Sequence, residues 1–199
     1  MQQQRESSPP LVLASTSPFR KTILEKLGIA FSTSAPSIDE TPLPGESAQK
    51  LVMRLSLQKA QAVAKAFPAA LIIGSDQVAC IDEQIIGKPG DREGAVKQLK
   101  VASGRRVDFY TGLCLLNSAT GRQQTLCEPF TIHFRRLRQD QLERYLDAEK
   151  PYNCAGSFKS EGLGISLFKR LQGDDPNTLI GLPLIRLVEM LNTEGVQVP

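Results

Sequence analysis

The chain has 199 residues, of which 41% are hydrophobic and 23% charged, with 15 glycines and 13 prolines. These fractions are ordinary for a soluble globular protein, and they exclude collagen-like, low-complexity and wholly disordered chains. The net charge of +3 does not indicate nucleic-acid binding, because a footprint on duplex DNA needs a concentrated basic face.

The amino-terminal segment is polar. Residues 1–10 end in Pro9-Pro10, and we expect them to form a disordered tail before a single domain at 11–199. The apolar run that follows is four residues long, shorter than the roughly 7–15 apolar residues of a secretion signal. No window approaches the ~20 apolar residues of a membrane span. The sequence therefore predicts a cytoplasmic protein that does not interact with membranes.

Short apolar runs and amphipathic segments alternate along the chain. Apolar runs at 11–15 and 70–76 are typical of buried strands, and the second would deliver Asp76 at its carboxyl end. A hairpin turning at Asp82-Glu83 and a pair of long strands around 118–121 complete the strand pattern. Helical periodicity and end signals predict helices over 17–28, 46–66, 91–104 and 138–150, and a last one starting near Asn177 or Pro183. This order predicts an α/β protein with a mixed sheet.

The first candidate for chemistry is the segment ASTSPFR, which joins the first strand to the first helix. Hydroxyls and backbone N–H groups at a helix amino terminus can bind an anion, and Arg20 adds a fork for phosphate oxygens. Serine-capped helices after strands are also common in purely structural roles. The segment is not a nucleotide-binding P-loop, because the sequence contains no GxxxxGK[ST] motif.

The second candidate is Asp76, because ligands of open α/β sheets bind at the carboxyl ends of strands. Glu40, in an acidic loop, would add a second carboxylate, and two oxygen ligands with substrate phosphates suit Mg²⁺. Lys59 and Lys88 would supply charges for a polyphosphate. The structural alternatives are a loop-capping aspartate and solvated surface lysines.

The third candidate is the glycine-rich stretch 153–165, which contains Glu161. Its glycines allow close approach of the backbone to a ligand, although such stretches also serve plain turns. Reasoning from these residues alone leads to an α/β enzyme with a Mg²⁺–phosphate site.

Together these segments resemble the Maf family of nucleotide pyrophosphatases. The resemblance covers about residues 11–193, and the motifs that carry it occur in the family's order: LASTSPFRKTILEKLG, SIDETP, LSLQKAQAVA, LIIGSDQVACIDEQIIGKP, AGSFKSEGLGISLF and GLPLIRLVEML. The SDQ and KSEG segments resemble the YceF-like branch, whose preferred substrate is N7-methyl-GTP.

The resemblance implies a fold of the Maf and inosine-triphosphate-pyrophosphatase type, an elongated mixed sheet with flanking helices and two lobes around a cleft. It implies hydrolysis between the α and β phosphates of a nucleoside triphosphate with a divalent metal, Mg²⁺ or Mn²⁺. Homodimers are common in that group.

By the same resemblance, Asp76 matches the family's catalytic proton acceptor, and Glu40 an acidic position near the metal that Asp76 would also contact. Positions that line the family's phosphate site are matched by Ser15, Arg20, Lys59 and Lys88. Positions associated with the choice of base are matched by Phe19, Gln77 and Glu161. Close relatives carry Trp in place of Phe19, whose ring is a weaker cation-binding face.

Two alternatives stay open at this point. A pyrimidine-type enzyme of the same family would be expected to carry Thr in place of Gln77 and Gln in place of Glu161. A non-catalytic nucleotide-binding regulator of septum formation would not need an intact Asp76.

Overall fold

Seven strands form one mixed sheet in the part of the chain that the structure describes. The computed structural model describes residues 9–198, so most of the predicted tail lies outside the described residues. The strands are β1 (Leu11–Ala14), β2 (Ser32–Ser34), β3 (Leu71–Ile81), β4 (Gln84–Ile86), β5 (Arg106–Asn117), β6 (Gln123–Phe134) and β7 (Phe168–Gln172). Their order is β2-β1-β3-β5-β6-β7, with β4 paired to β3. The contacts of β1 with β2 and β3 are parallel and all other pairs are antiparallel, which confirms the predicted α/β class with a mixed sheet.

Six α-helices flank the sheet within residues 9–198: α1 (Pro18–Glu25), α2 (Ala48–Ala64), α3 (Arg92–Ala102), α4 (Gln139–Glu149), α5 (Pro176–Ile180) and α6 (Leu184–Thr193). The predicted start of α1 is confirmed, since the Ser17 side chain accepts a hydrogen bond from the Arg20 backbone N–H and Pro18 is the first helical residue. Over this part of the chain, no helix is both long and apolar enough to cross a membrane.

The last helix begins at Leu184, directly after Pro183, which confirms one of its two predicted starts, whereas the other, near Asn177, lies in the separate short helix α5. Gly181 separates α5 from α6 and has a φ of 123°. Side chains larger than glycine rarely adopt this conformation, so the helix ends there and the chain turns before α6.

The second predicted strand is longer than expected. It does not end at Asp76, because β3 continues to Ile81 and Asp76 lies in its middle, opposite Gly112 of β5. The hairpin turn at Asp82 and Glu83 is confirmed, with φ values of 48° and 66° that suit a tight two-residue turn.

The two edges of β3 are paired differently. Along one edge β5 pairs with β3 from Leu71 to Cys80. Along the other edge β1 pairs with residues 71–74 and β4 with residues 79–81. No other pairing on that second edge is present in the described structure, so residues 75–78 form a gap in the sheet between β1 and β4. Asp76 and Gln77 lie in this gap.

The central helix α2 packs directly on the sheet through two glycines. A Cβ atom placed on Gly74 would lie 2.0 Å from the Ser56 carbonyl oxygen, and one on Gly112 would lie 2.1 Å from the Val52 carbonyl oxygen. No larger side chain fits there without moving the helix backbone. The close approach brings Lys59, on the buried face of α2, against the middle of β3.

Candidate active site

A cleft of about 970 Å³ opens beside residues 75–78, where one edge of β3 has no paired strand. Four segments form its walls: the β1–α1 connection, the acidic loop before α2, the β3–β4 hairpin and the glycine-rich stretch after α4. The candidate residues from the sequence all line this one cleft: Ser15, Phe19, Arg20, Glu40, Lys59, Asp76, Gln77, Lys88 and Glu161.

An ion cluster occupies the middle of the cleft. Lys59 Nζ lies 2.6 Å from Asp76 Oδ1 and 2.7 Å from Glu40 Oε1. Lys59 and Asp76 are buried, with 5% and 8% of their surface exposed, whereas the Glu40 side chain is 58% exposed. Burying an ammonium group is costly unless carboxylates pair with it, and this cluster supplies two.

The acidic loop that carries Glu40 is attached to α2 by Arg54. The Arg54 guanidinium donates from Nε and Nη2 to the two Glu46 carboxylate oxygens, each at 2.7 Å, and Nη2 also donates to the Thr41 carbonyl oxygen at 3.1 Å. Hydrogen bonding from Arg54 lowers the pKa of Glu46 to about 2. Sequence reasoning missed this residue, since its partner lies in the loop and not at helical spacing.

The β1–α1 connection presents hydroxyl and guanidinium groups to the cleft. Ser15 Oγ accepts a hydrogen bond from the Ser17 backbone N–H at 3.1 Å. Arg20 Nε donates to the Gly181 carbonyl oxygen at 2.8 Å, which fixes the plane of the guanidinium and leaves its terminal nitrogens for a ligand. Burial lowers the pKa of Arg20, and the carboxylates of Asp76 and Glu40 oppose that shift.

Besides Lys59, three lysines line the cleft, namely Lys88, Lys150 and Lys159. Lys88 follows β4, and its exposed side chain can reach a phosphate group in the cleft. Lys159 was not predicted, although it lies in the glycine-rich stretch that was singled out. Its Nζ donates to the Glu149 carbonyl oxygen at 3.1 Å and pairs with the Glu149 carboxylate at 3.3 Å, so it is partly neutralised.

The three candidate base-selecting residues differ in their degree of restraint. Phe19 is half-buried on α1, and Glu161 is exposed with its Oε2 3.3 Å from the Ser160 hydroxyl. Gln77 is held more firmly, since its Nε2 donates to the Thr111 hydroxyl at 2.8 Å and to the Thr178 carbonyl oxygen at 2.7 Å.

The carboxylates of Asp76 and Glu40 suit the predicted divalent ion. Both are hard oxygen donors, and both lie within hydrogen-bond distance of the same lysine nitrogen, so they are close to one another. Within residues 9–198 no group of three or more His, Cys, Asp or Glu residues has the geometry of a complete metal site. Mg²⁺ fits such a place because it commonly takes one or two protein carboxylates and completes its shell with water and substrate phosphates.

Solved structures with a similar fold include two Ham1 proteins. That of Staphylococcus aureus has a TM-score of 0.54 and 14% identity, with 93% of this chain and 99% of that chain covered. That of Coxiella burnetii has a TM-score of 0.52 and 15% identity over the same shares. These neighbours confirm the predicted architecture.

Curated relatives are far more similar in sequence. A protein of Alcanivorax borkumensis named 7-methyl-GTP pyrophosphatase is 60% identical over 194 residues, 98% of each chain. Proteins with the same name from Vibrio cholerae and Pseudomonas aeruginosa are 58% and 54% identical, covering 94% and 96% of this chain and 97% and 100% of their own. A family model described as Maf-like protein matches residues 10–194. The chain therefore belongs to the Maf family.

Proposed function

We propose that this protein is a nucleoside triphosphate pyrophosphatase that hydrolyses N7-methyl-GTP to N7-methyl-GMP and diphosphate, removing a modified nucleotide. The observation that carries the proposal is a buried carboxylate, Asp76, held by Lys59 inside a cleft lined by basic side chains. The substrate follows from relatives that are 54–60% identical and carry the name 7-methyl-GTP pyrophosphatase.

Asp76 is the group best placed to act as proton acceptor. A water molecule that attacks phosphorus in the α–β anhydride forms a P–O bond, transfers a proton to the carboxylate and releases diphosphate as the leaving group. Lys59 orients Asp76 through the 2.6 Å contact. General-base catalysis of this kind contributes typically about 10²- to 10⁴-fold to a rate.

The remaining polar residues neutralise and position the phosphates. Arg20, in a plane fixed by Gly181, offers two terminal nitrogens that have no hydrogen-bond partner among residues 9–198, while Lys88 and Ser15 add an ammonium and a hydroxyl group. Phosphoryl transfer depends mainly on positioning and on charge neutralisation, which such groups provide. Asp76 and Glu40 would hold the Mg²⁺ or Mn²⁺ ion, which supplies further charge neutralisation at the phosphates.

The positive charge on an N7-methylated guanine gives a role to two of the candidate base-selecting residues, Phe19 and Glu161. Phe19 offers an aromatic face for the charged ring, and Glu161 offers a carboxylate that pairs with the charge and accepts from guanine N–H groups. Both interactions strengthen when the base covers the side chains and displaces water.

The decisive experiment is a panel of nucleotides, N7-methyl-GTP, GTP, dTTP, UTP and CTP, assayed with Mg²⁺ or Mn²⁺ for release of diphosphate and of phosphate. We expect diphosphate, the highest kcat/KM for N7-methyl-GTP, and loss of turnover when EDTA removes the metal. Phosphate as the sole inorganic product would contradict α–β cleavage, and a preference for a pyrimidine nucleotide would favour the other branch of the family.

Asp76→Asn tests the role of the carboxylate and separates an enzyme from a nucleotide-binding regulator. We expect kcat to fall about 10²- to 10⁴-fold while N7-methyl-GTP still binds. Asp82→Asn, in the exposed hairpin turn, is the matched control and should keep full turnover. Turnover that survives Asp76→Asn would contradict the proposed mechanism.

A cytoplasmic location and a homodimer remain predictions.

A further inference from the structure

Thr111 lies behind the cleft, on β5, directly opposite Gln77 of β3. The residue is fully buried, and its side chain is not part of the cleft wall. Cross-strand neighbours in this register place their side chains on the same face of a sheet, so the two side chains meet. Gln77 lines the cleft, and its side chain contacts the buried Thr111 behind the cleft wall.

The amide nitrogen of Gln77 faces three oxygen atoms. Nε2 lies 2.8 Å from Thr111 Oγ1, 2.7 Å from the Thr178 carbonyl oxygen and 3.3 Å from the Leu179 carbonyl oxygen. The two backbone oxygens can only accept hydrogen bonds, so the amide NH₂ must face them and a flipped amide would set oxygen against oxygen. Thr111 Oγ1 donates to the Thr178 carbonyl at 3.1 Å, which leaves its lone pairs to accept from Gln77.

This arrangement decides which atom of Gln77 is available to a ligand. Both donors are directed at α5 and β5, whereas Oε1 accepts no hydrogen bond from the residues that the structure describes. Gln77 is half-buried and lines the cleft. The group that it offers to a ligand is thus a hydrogen-bond acceptor.

We propose that Thr111 is a positioning residue for base selection, which fixes the Gln77 amide so that its oxygen accepts from an N–H group of the bound base. An acceptor here, together with the Glu161 carboxylate, suits the edge of guanine that carries N1–H and the 2-amino group. Cytosine presents the ring nitrogen N3, which only accepts hydrogen bonds. This atom would face an acceptor of the site at the place where guanine offers its N1–H donor. The inference rests on the proposed function, because it assumes that the ligand of the cleft is a nucleotide.

Thr111→Val tests the inference, because valine keeps the shape of threonine and removes the hydroxyl. We expect kcat/KM for N7-methyl-GTP to fall about three- to tenfold, the size of one uncharged hydrogen bond, mainly through a higher KM. The preference for N7-methyl-GTP over CTP should fall by a similar factor. Thr111→Ser keeps the hydroxyl and should restore both values.

Two controls separate this role from a structural one. Thr131→Val, on β6, removes a half-buried hydroxyl that donates to Asp108 outside the cleft and should leave the preference unchanged. In a Gln77→Met background, Thr111→Val should have no further effect on the preference. An equal loss of kcat/KM for N7-methyl-GTP and CTP, or an undiminished effect in the Gln77→Met background, would overturn the proposal.

Two measurements keep the inference testable when turnover or folding fails. Calorimetric binding of N7-methyl-GMP to wild type and Thr111→Val should show the same three- to tenfold loss, so a failure of hydrolysis is distinguishable from a failure of positioning. In ¹⁵N-labelled wild type, the Gln77 side-chain amide protons should exchange slowly with solvent, with the signals assigned by their absence in Gln77→Met. Equal affinities, or a solvent-like exchange rate, would refute the role of Thr111.

Discussion

At the scale of single residues, the charges in the cleft are arranged around Lys59. Its ammonium is buried and contacts two carboxylates, so the central cluster carries one net negative charge. Arg20 and Lys88 line the same cleft and reverse that sign. Under the proposed function, the carboxylates would attract the divalent ion and the outer cations the polyphosphate, so the cleft suits both parts of a metal–nucleotide complex.

Glu161→Gln tests whether the cleft recognises the positive charge of the methylated base. We expect the ratio of kcat/KM for N7-methyl-GTP over that for GTP to fall roughly five- to thirtyfold, since pairing with the cation is worth about 1–2 kcal/mol in a desolvated site. Glu25→Gln, on the exposed face of α1, is the matched control. An unchanged ratio would show that Glu161 does not select the charge.

At the scale of elements, the position of α2 depends on two residues of the sheet that have no side chain. Gly74 and Gly112 allow the helix backbone to touch β3 and β5, and this contact sets the distance from Lys59 to Asp76. Both glycines lie inside apolar strands. The sequence alone does not indicate which element packs against them. The register between α2 and the sheet therefore comes from the structure alone.

Gly112→Ala should damage both stability and catalysis. The added Cβ meets the Val52 carbonyl oxygen at 2.1 Å, so α2 must move, at a cost of about 1–3 kcal/mol or more. We expect Tm to fall by roughly 2–4 °C per kcal/mol, and kcat to fall because displacements near 1 Å can cost about 10²-fold.

Gly87→Ala is the control for stability. Its Cβ would have no atom within 4 Å, so thermal unfolding should be close to that of the wild type. If Gly112→Ala has the same Tm as Gly87→Ala and the same kcat as the wild type, the glycine contact does not position the helix.

Elements with strong local signals were predictable from the sequence, and those set by pairing were not. The cap at Ser17 and the turn at Asp82-Glu83 follow from residue types whose preferences act within a few positions. The extension of β3 beyond Asp76 depends on pairing with β5 about 35 residues further along the chain, and no local pattern encodes that. The short edge strands β2 and β7 were missed because they are mostly exposed and carry little hydrophobic signal.

At the scale of the whole molecule, three apolar cores are joined by the same long strands. The first contains Ala79 and Phe109, the second contains Leu71, and the third, under α2, contains Ile72 and Cys114. Both β3 and β5 contribute to all three cores, and the cleft lies where these strands pass from the first core to the other two. The motifs of the cleft were recognisable in the sequence, whereas the distances between them required the fold.

We expect the three cores to unfold together, because neither β3 nor β5 can leave one core without disturbing the others. Calorimetry should give a single transition with equal calorimetric and van't Hoff enthalpies, coincident with loss of far-ultraviolet circular dichroism. Two resolved transitions would contradict the prediction of a single domain at 11–199.

The gap in the edge of β3 has a consequence for how the protein avoids self-association. Unpaired strand edges invite pairing with other chains, which leads to aggregation. Here the open edge is limited to residues 75–78 and is closed on either side by β1 and β4. The ion cluster of Lys59, Glu40 and Asp76 lies against it, and an incoming strand would have to bury these charges without new partners. The opening at residues 75–78 is thus too short and too charged to template another strand.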